Sequence, residues 1–260
     1  MVERSGDSSS WPIWRCGVLL AAVLPLAGCP LPPSTPTPED YRTVRAATVE
    51  GQYHIYVPSY YSSDRAWPLV VTLHGTNPWD TYTLQIKEWD ALAEREGFIV
   101  VAPKLKSPQG VLPRVRKYWY EHLREDEQLI LSVVDEVSGN YSVDRRAVLL
   151  TGFSAGGYPL YWTGLRHPDV FNMLIARACN SDVEMFEKIE VTKEAQKLPI
   201  RIFWGRDDLA KIRRESWSAL AWLRNHYYLK ADREEVAGGH RRMPERAYQL
   251  WRPHLPRELK

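Results

Sequence analysis

The chain carries several apolar runs that are short and almost continuous, unlike the alternating pattern of a half-exposed strand. The runs "WPLVVTLHG", "FIVVAPK" and "RRAVLLTG" are of this kind, which is typical of strands buried on both faces of a parallel sheet. Between them, "TLQIKEWDALAEREG" and "EDEQLILSVVDEVSGNY" place apolar residues at helical spacing, and the first of these helices is predicted to stop at Gly97. We therefore predict that strands and helices alternate over this part of the chain.

The flanking segments continue the alternation. Before the first run, "RTVRAATVEGQYHIYVP" alternates around a glycine and predicts an edge hairpin. After the third run, "FNMLIARAC", "LPIRIFWG" and "KADREEVAGG" are strand candidates, with helical stretches over residues 184–197 and 212–229 and a closing helix in "PERAYQLWRPHL". Residues 104–120 are predicted as a loop. This order predicts an α/β fold with a mainly parallel central sheet and helices on both faces.

The amino terminus differs in pattern from the rest of the chain. Arg15 precedes an apolar stretch that is too short to span a bilayer comfortably and too isolated to belong to the core. Residues 1–28 are therefore predicted to be a signal peptide. Residues 29–40 are rich in proline and polar side chains, which is typical of an extended tether. The folded catalytic domain is expected to occupy residues 41–260.

The end of the apolar segment, "LAGC" at residues 26–29, resembles the lipobox of bacterial lipoproteins. The resemblance implies cleavage before Cys29, acylation of that cysteine, and an exported protein anchored to a bacterial membrane on the periplasmic or cell-surface side. An ordinary signal peptide and an uncleaved anchor are the alternatives. Cys16 would leave with the signal peptide, so Cys179 is the thiol that remains for the domain and no internal disulfide is expected.

Composition narrows the possible functions. The chain has 260 residues, of which 44% are hydrophobic and 25% charged, and its formal net charge is +2. These values suit a globular domain with a substantial core and give no electrostatic reason to expect nucleic-acid binding. The sequence contains no H-E-x-x-H, C-x-x-C or G-x-G-x-x-G pattern, so neither a metal nor a nucleotide cofactor is predicted.

The stretch "LLTGFSAGGYPLYW" introduces a candidate nucleophile. Residues 152–156 fit G-x-S-x-G, the nucleophile elbow, in which the chain leaves a strand, turns sharply and starts a helix with the serine at the apex. A run of strand length precedes the motif and a helix-sized segment follows it. We predict Ser154 as the nucleophile, with the backbone N–H of Ala155 as one oxyanion donor. A glycine-rich structural turn is the alternative for so short a motif.

Taken with its surroundings, this motif makes the chain similar to the α/β-hydrolases, and more narrowly to the secreted polyhydroxybutyrate-depolymerase and feruloyl-esterase-like group. The resemblance runs from about Tyr53 to Leu255. Its most specific passage is "YSVDRRAVLLTGFSAGGYPLYWTGLRHPDVF", and "LHGT", "EREGFIVVAP" and "FWGRDDL" match as well. It implies an α/β-hydrolase fold without a large cap domain and the activity of a serine esterase.

A serine nucleophile needs a base and an acid that orients the base, and in this fold they follow in the order serine, acid, histidine. His240 follows "EEVAGG", a strand that runs into two glycines, so we assign it as the base on a loop at the carboxyl end of the sheet. The loop after "LPIRIFWG" offers two carboxylates. The family pattern G-x-x-D implies Asp208 as the acid, with Asp207 as the alternative. The resemblance also implies the N–H of Thr76 as the second oxyanion donor, in a register that could shift by one residue.

Aromatic residues near the predicted site are candidates for substrate contact. Tyr118 and Trp119 lie on the predicted 104–120 loop, where either ring could stack on an aromatic acyl group or a sugar. Trp79 and Asp80 lie beside the loop that carries Thr76 and are further candidates. The alternative for all of these residues is an ordinary surface loop with packed aromatics.

These motifs together predict an enzyme, a serine hydrolase that cleaves carboxylic esters through an acyl-enzyme intermediate. The expected substrates are small-molecule, polysaccharide or polyester esters, and no cofactor is required. A peptidase or thioesterase on the same scaffold is one alternative, because the triad defines the nucleophile but not the leaving group. A non-catalytic surface-binding lipoprotein is the other.

Overall fold

One mixed sheet organises the part of the chain that the structure describes. The computed structural model describes residues 40–45, 49–108 and 116–260. The strands in these ranges are β1 (Asp40–Arg45), β2 (Glu50–Tyr56), β3 (Trp67–Leu73), β4 (Ile99–Pro103), β5 (Val143–Phe153), β6 (Met173–Arg177), β7 (Ile200–Gly205) and β8 (Ala231–Val236). They lie in the order β1-β2-β4-β3-β5-β6-β7-β8. The hairpin of β1 and β2 is antiparallel to the sheet edge, and the six strands from β4 to β8 are parallel.

Helices cover both faces of this sheet. In the described ranges they are α1 (Tyr82–Glu96), α2 (Arg116–Asn140), α3 (Gly157–Arg166), α4 (Val183–Phe186), α5 (Ala210–Asn225) and α6 (Pro244–Trp251). Alternate residues of the central strands point to opposite faces, so Val70 and Leu149 pack with α1 and α6, while Val71 and Leu150 pack with α2, α3 and α5. The predicted α/β-hydrolase architecture is confirmed, and no large cap domain is evident in the described ranges.

The limits of α1 follow from its local sequence. Thr81 caps the helix, since its hydroxyl accepts the N–H of Leu84 at 3.2 Å. Gly97 ends the helix in the left-handed conformation with φ 79°, where glycine avoids the steric cost of a side chain. The predicted stop at this glycine is therefore confirmed.

The prediction of a loop over residues 104–120 was wrong at its carboxyl end, because α2 already begins at Arg116. Trp119 and Leu123 lie on the buried face of its first turns, at the i, i+4 spacing that one helix face requires. The helix has 25 residues. No helix in the described ranges is both long enough and apolar enough to cross a membrane.

The helix predicted over residues 184–197 is interrupted. It consists of the short α4 and a separate 3₁₀ turn at Ala195–Lys197. The side chain of Thr192 accepts the N–H of Ala195 at 3.1 Å, which starts a new turn in place of a continued helix. The predicted signal peptide, most of the tether and Cys29 lie outside the described residues.

Candidate active site

Ser154 occupies the turn between β5 and α3. The strand ends at Phe153, one 3₁₀ turn covers Ser154–Gly156, and the helix follows at once. Ser154 has a φ of 53°, in the left-handed region that non-glycine residues adopt only where the surrounding structure holds them. Its carbonyl oxygen accepts the N–H of Asn180 at 2.8 Å, which contributes to holding that conformation. The local geometry is that of a nucleophile elbow.

Glycines beside the serine allow this turn because backbone passes very close to them. A Cβ atom on Gly152 would lie 2.6 Å from the carbonyl oxygen of Gly156. On Gly156 it would lie 2.6 Å from the carbonyl oxygen of Leu73 and 2.7 Å from that of His74. Neither position has space for a side chain, so the small residues of the motif serve the close packing of elbow, helix and neighbouring strand.

The structure brings His240 and Asp208 into contact. The Nδ1 atom of His240 lies 2.8 Å from Oδ1 of Asp208, whose side chain is fully buried. The same Oδ1 accepts the N–H of Leu209 at 2.7 Å, while Asp207 is exposed and its N–H donates to Gly238. Between the two aspartates, Asp208 is therefore the one whose carboxylate contacts the histidine.

His74 braces the loop between β3 and α1. Its Nε2 accepts the N–H of Leu105 at 2.9 Å, so the ring proton is on Nδ1, which donates to the carbonyl oxygen of Gly75 at 2.8 Å. Burial lowers the pKa of His74, which favours this neutral ring. The peptide group that joins Gly75 to Thr76 is thereby held in one orientation, and that group carries the N–H predicted as an oxyanion donor.

The N–H of the preceding residue has a different partner. Gly75 donates its N–H to Oδ2 of Asp80 at 2.6 Å. If the oxyanion donor were one residue closer to β3, it would be the N–H of Gly75, and the bond to Asp80 already occupies that group. The contact with Asp80 therefore argues against a shift of the predicted register by one residue to Gly75.

A cavity of about 570 Å³ opens above the elbow. Four residues predicted from the sequence line it, namely Ser154, His240, Thr76 and Trp79. The side chain of Trp79 is 67% exposed. The serine, the histidine and the loop that carries Thr76, here called the oxyanion loop, thus border one accessible space of the size that ligand sites commonly have.

Five further residues line the same cavity, and of these the sequence analysis had named only Asp80 as a candidate for substrate contact. They are Asp80, Phe153, Leu209, Arg241 and Arg242. The ring of Phe153 packs on the ring of His240 with centroids 4.6 Å apart, and Leu209 is 60% exposed. Phe153 could have been found from its place inside the G-x-S-x-G motif. Arg242 contacts Asp80, which lies 162 positions away in the sequence, and no pattern within a short segment predicts a contact between residues so far apart.

Two predicted substrate contacts lie elsewhere. Trp119 is 2% exposed; its ring meets Tyr158 edge-on at 5.2 Å and its Nε1–H donates to the carbonyl oxygen of Ser107 at 3.2 Å. Tyr118 is exposed on the first turn of α2. Neither is among the described residues that line the cavity, because the early start of α2 turns Trp119 into the core.

Two other predicted features concern chemistry away from the elbow. Cys179 is buried, and burial raises the pKa of its thiol to about 12, which keeps it protonated near neutral pH. In the part of the chain that the structure describes, no cluster of three or more His, Cys, Asp or Glu side chains is arranged to hold a metal ion.

The fold and this site define the class of protein. A serine at a strand–turn–helix elbow, followed in sequence by an acid after one strand and a histidine after the next, is the α/β-hydrolase arrangement. Solved structures of this class share the fold. A ferulic acid esterase from Anaeromyces mucronatus, bound to ferulic acid, has a TM-score of 0.62 at 18% identity over 79% of this chain and 85% of that one. An S-formylglutathione hydrolase from Staphylococcus aureus has a TM-score of 0.61 at 14% identity over 86% and 98%.

The family follows from a more specific match. Residues 48–243 match the Esterase family, and the chain belongs to that family, which confirms the resemblance seen in the sequence. It is 30% identical over 125 residues to the bifunctional acetylxylan esterase/xylanase XynS20E of Neocallimastix patriciarum, covering 48% of this chain and 17% of that protein. It is 32% identical over 109 residues to poly(3-hydroxyalkanoate) depolymerase C of Paucimonas lemoignei, covering 40% and 26%. The chain thus matches only a minor part of each relative's length.

Proposed function

We propose that the protein is a serine hydrolase that cleaves carboxylic esters through an acyl-enzyme intermediate. The observation that carries the proposal is the contact of His240 with the buried carboxylate of Asp208, in a cavity that Ser154 also lines. A histidine held by a carboxylate at Nδ1 has its Nε2 available as a base. Membership of the Esterase family supports the ester as the bond that is cleaved.

In the proposed reaction, Ser154 Oγ attacks the ester carbonyl carbon while Nε2 of His240 takes its proton. Asp208 holds the imidazole and stabilises the imidazolium that forms. The N–H groups of Thr76 and Ala155 stabilise the oxyanion of the tetrahedral intermediate. His240 then protonates the departing alcohol, and water repeats the same sequence on the acyl-enzyme to release the acid.

The substrates we propose are polysaccharides that carry ester-linked acyl groups, or polyesters. The matched relatives are named for acetylxylan and poly(3-hydroxyalkanoate), and the side chains of Trp79 and Leu209 give the cavity a broad apolar border. An open cavity bordered by an exposed aromatic ring and an exposed aliphatic side chain suits an extended substrate better than a small substrate that would be enclosed. Export and lipid attachment at Cys29 complete the proposal and rest on the lipobox resemblance.

Labelling with a fluorophosphonate probe tests the nucleophile. Ser154→Ala should lose all labelling and ester turnover with an unchanged fold, since alanine fits the same turn. The matched control is Ser218→Ala, which removes a hydroxyl that bonds within α5 and should label like the wild type. Normal labelling of Ser154→Ala would refute the assignment, and an unlabelled wild-type protein would favour a binding function.

A substrate panel then tests the bond and the acyl group. Nitrophenyl esters, feruloyl esters and acetylated xylan should be hydrolysed, with kcat/KM at least tenfold above that for peptide amides and thioesters of the same acyl group. Preference for the amide or the thioester would reassign the protein to a peptidase or a thioesterase with the same nucleophile.

A further inference from the structure

A buried ionic network lies beneath the cavity, and the proposed reaction does not use it. Its centre is Arg177, the last residue of β6, whose side chain is fully buried. The guanidinium bonds Thr151 of β5 at 3.0 Å, Thr72 of β3 at 2.8 Å and Gln85 of α1 at 2.6 Å, and it forms an ion pair with Glu88. Three central strands and one helix are thereby joined through one side chain.

A second arginine extends this network to the cavity. Nε of Arg242 lies 2.9 Å from Oδ1 of Asp80 and 3.5 Å from Oε2 of Glu88, and its terminal nitrogen donates to the carbonyl oxygen of Trp79 at 3.3 Å. Arg177 in turn donates to the backbone carbonyl of Arg242 at 3.1 Å. Two cations and two carboxylates thus balance in charge, which compensates for the burial of Arg177, Asp80 and Glu88.

Asp80 is the residue through which the network reaches the oxyanion loop. Its Oδ1 contacts Arg242, while its Oδ2 accepts the N–H of Gly75 at 2.6 Å and the side-chain amide of Gln85 at 2.9 Å. A Cβ atom on Gly75 would lie 3.1 Å from Cβ of Ser154, so this stretch of loop borders the nucleophile. One carboxylate therefore links the loop beside the serine to the segment two residues after the histidine.

We propose that Asp80 and Arg242 are positioning residues. Their contact fixes the loop that carries Thr76 relative to the segment that carries His240, around Ser154. The proposal rests on the proposed function, because it assigns these residues no chemistry of their own. Oxyanion donors lower a barrier only when they are preorganised. Without the pair, residues 74–81 lose the carboxylate contact that ties them to Arg242, two residues after His240. The N–H of Thr76 and the ring of His240 are then no longer held in a fixed position relative to each other.

The test uses the full chain with an ester substrate from the panel. Arg242→Gln and Asp80→Asn should each lower kcat about 10- to 100-fold, the range expected when a remote change misplaces a catalytic group by about 1 Å, with KM changed less than threefold. The double variant should be no slower than the slower single variant, because both substitutions remove the same contact. Arg242→Lys keeps the cation and should recover part of the loss.

Arg246→Gln is the matched control. It breaks an ion pair with Glu234, also between an arginine and a carboxylate, which lies outside the cavity lining, and it should keep kcat within about twofold of the wild type. Thermal melting of every variant reports folding. If Arg242→Gln fails to fold, Arg242→Lys decides, with a kcat below that of the control as the supporting result.

Two results would overturn the proposal. One is a kcat of the Arg242 and Asp80 variants equal to that of Arg246→Gln. The other is a rise in KM at unchanged kcat, which would make the pair a substrate contact. Both results leave the proposed function standing, because that function is tested separately by the labelling of the wild-type protein and of Ser154→Ala and by the substrate preference of the wild type.

Discussion

Replacing Asp208 by asparagine tests the proposed triad most directly, because the substitution removes a charge and almost no volume. Two unit charges about 4 Å apart in an effective dielectric of about 20 interact by about 4 kcal/mol. If the imidazolium of His240 forms in the transition state, loss of that interaction costs about 10³ in kcat, at about 1.4 kcal/mol for each factor of ten.

The structure argues for this figure over the larger loss of about 10⁴ seen where asparagine reverses the histidine tautomer in another triad enzyme. The N–H of Leu209 donates to Oδ1 of Asp208 at 2.7 Å. In the variant, that donor should keep the amide oxygen at the same place, facing Nδ1 of His240. The tautomer then persists, and only the charge is lost.

The assay is steady-state hydrolysis of a nitrophenyl ester at a pH where the wild type is fully active, with circular dichroism to verify the fold. The control is Asp207→Asn, at the exposed neighbour, which should stay within about threefold of the wild type. A kcat for Asp208→Asn within tenfold of the wild type would refute the electrostatic reasoning. A crippled Asp207→Asn beside an active Asp208→Asn would move the acid to Asp207.

Three other outcomes follow from the same structure. Gly156→Ala should lower the free energy of unfolding by about 1–3 kcal/mol and reduce turnover, because its new methyl group meets the carbonyl oxygens of Leu73 and His74; urea titration measures the first effect. The peptide that carries Cys179 should resist alkylation at pH 8 in the folded protein and react in guanidinium, since the thiol is buried with a pKa of about 12; rapid alkylation of the folded protein would contradict its burial. Cys29→Ser should abolish incorporation of labelled palmitate in a bacterial host, and unchanged incorporation would exclude lipid attachment at this residue.

The sequence by itself determined the class of fold. Strands buried on both faces are apolar along their whole length, so β3 ("WPLVVTL") and β4 ("IVVAP") are visible without any tertiary information. Periodicity and capping likewise located α1, because the stop at Gly97 is a local property. The elbow was visible as well, since crowding around Ser154 demands small residues at neighbouring positions of the same short segment.

Helix α2 shows where local pattern was insufficient. Its first residues were predicted as part of a loop. Packing against Tyr158 and the bond to the carbonyl oxygen of Ser107 explain why Trp119 turns inward. Burial against a distant segment outweighed the local signal. A candidate substrate contact thereby became a core residue.

The tertiary structure alone decided which groups meet around the serine. The family pattern favoured Asp208 and left Asp207 as an alternative, and the direction of a turn brings the carboxylate of Asp208 to His240. The contact between Asp80 and Arg242 spans 162 positions, so no periodicity or motif encodes it. Such pairs arise because a parallel sheet gathers the carboxyl ends of strands that are far apart in sequence at one edge, and the chemistry of this chain is concentrated there.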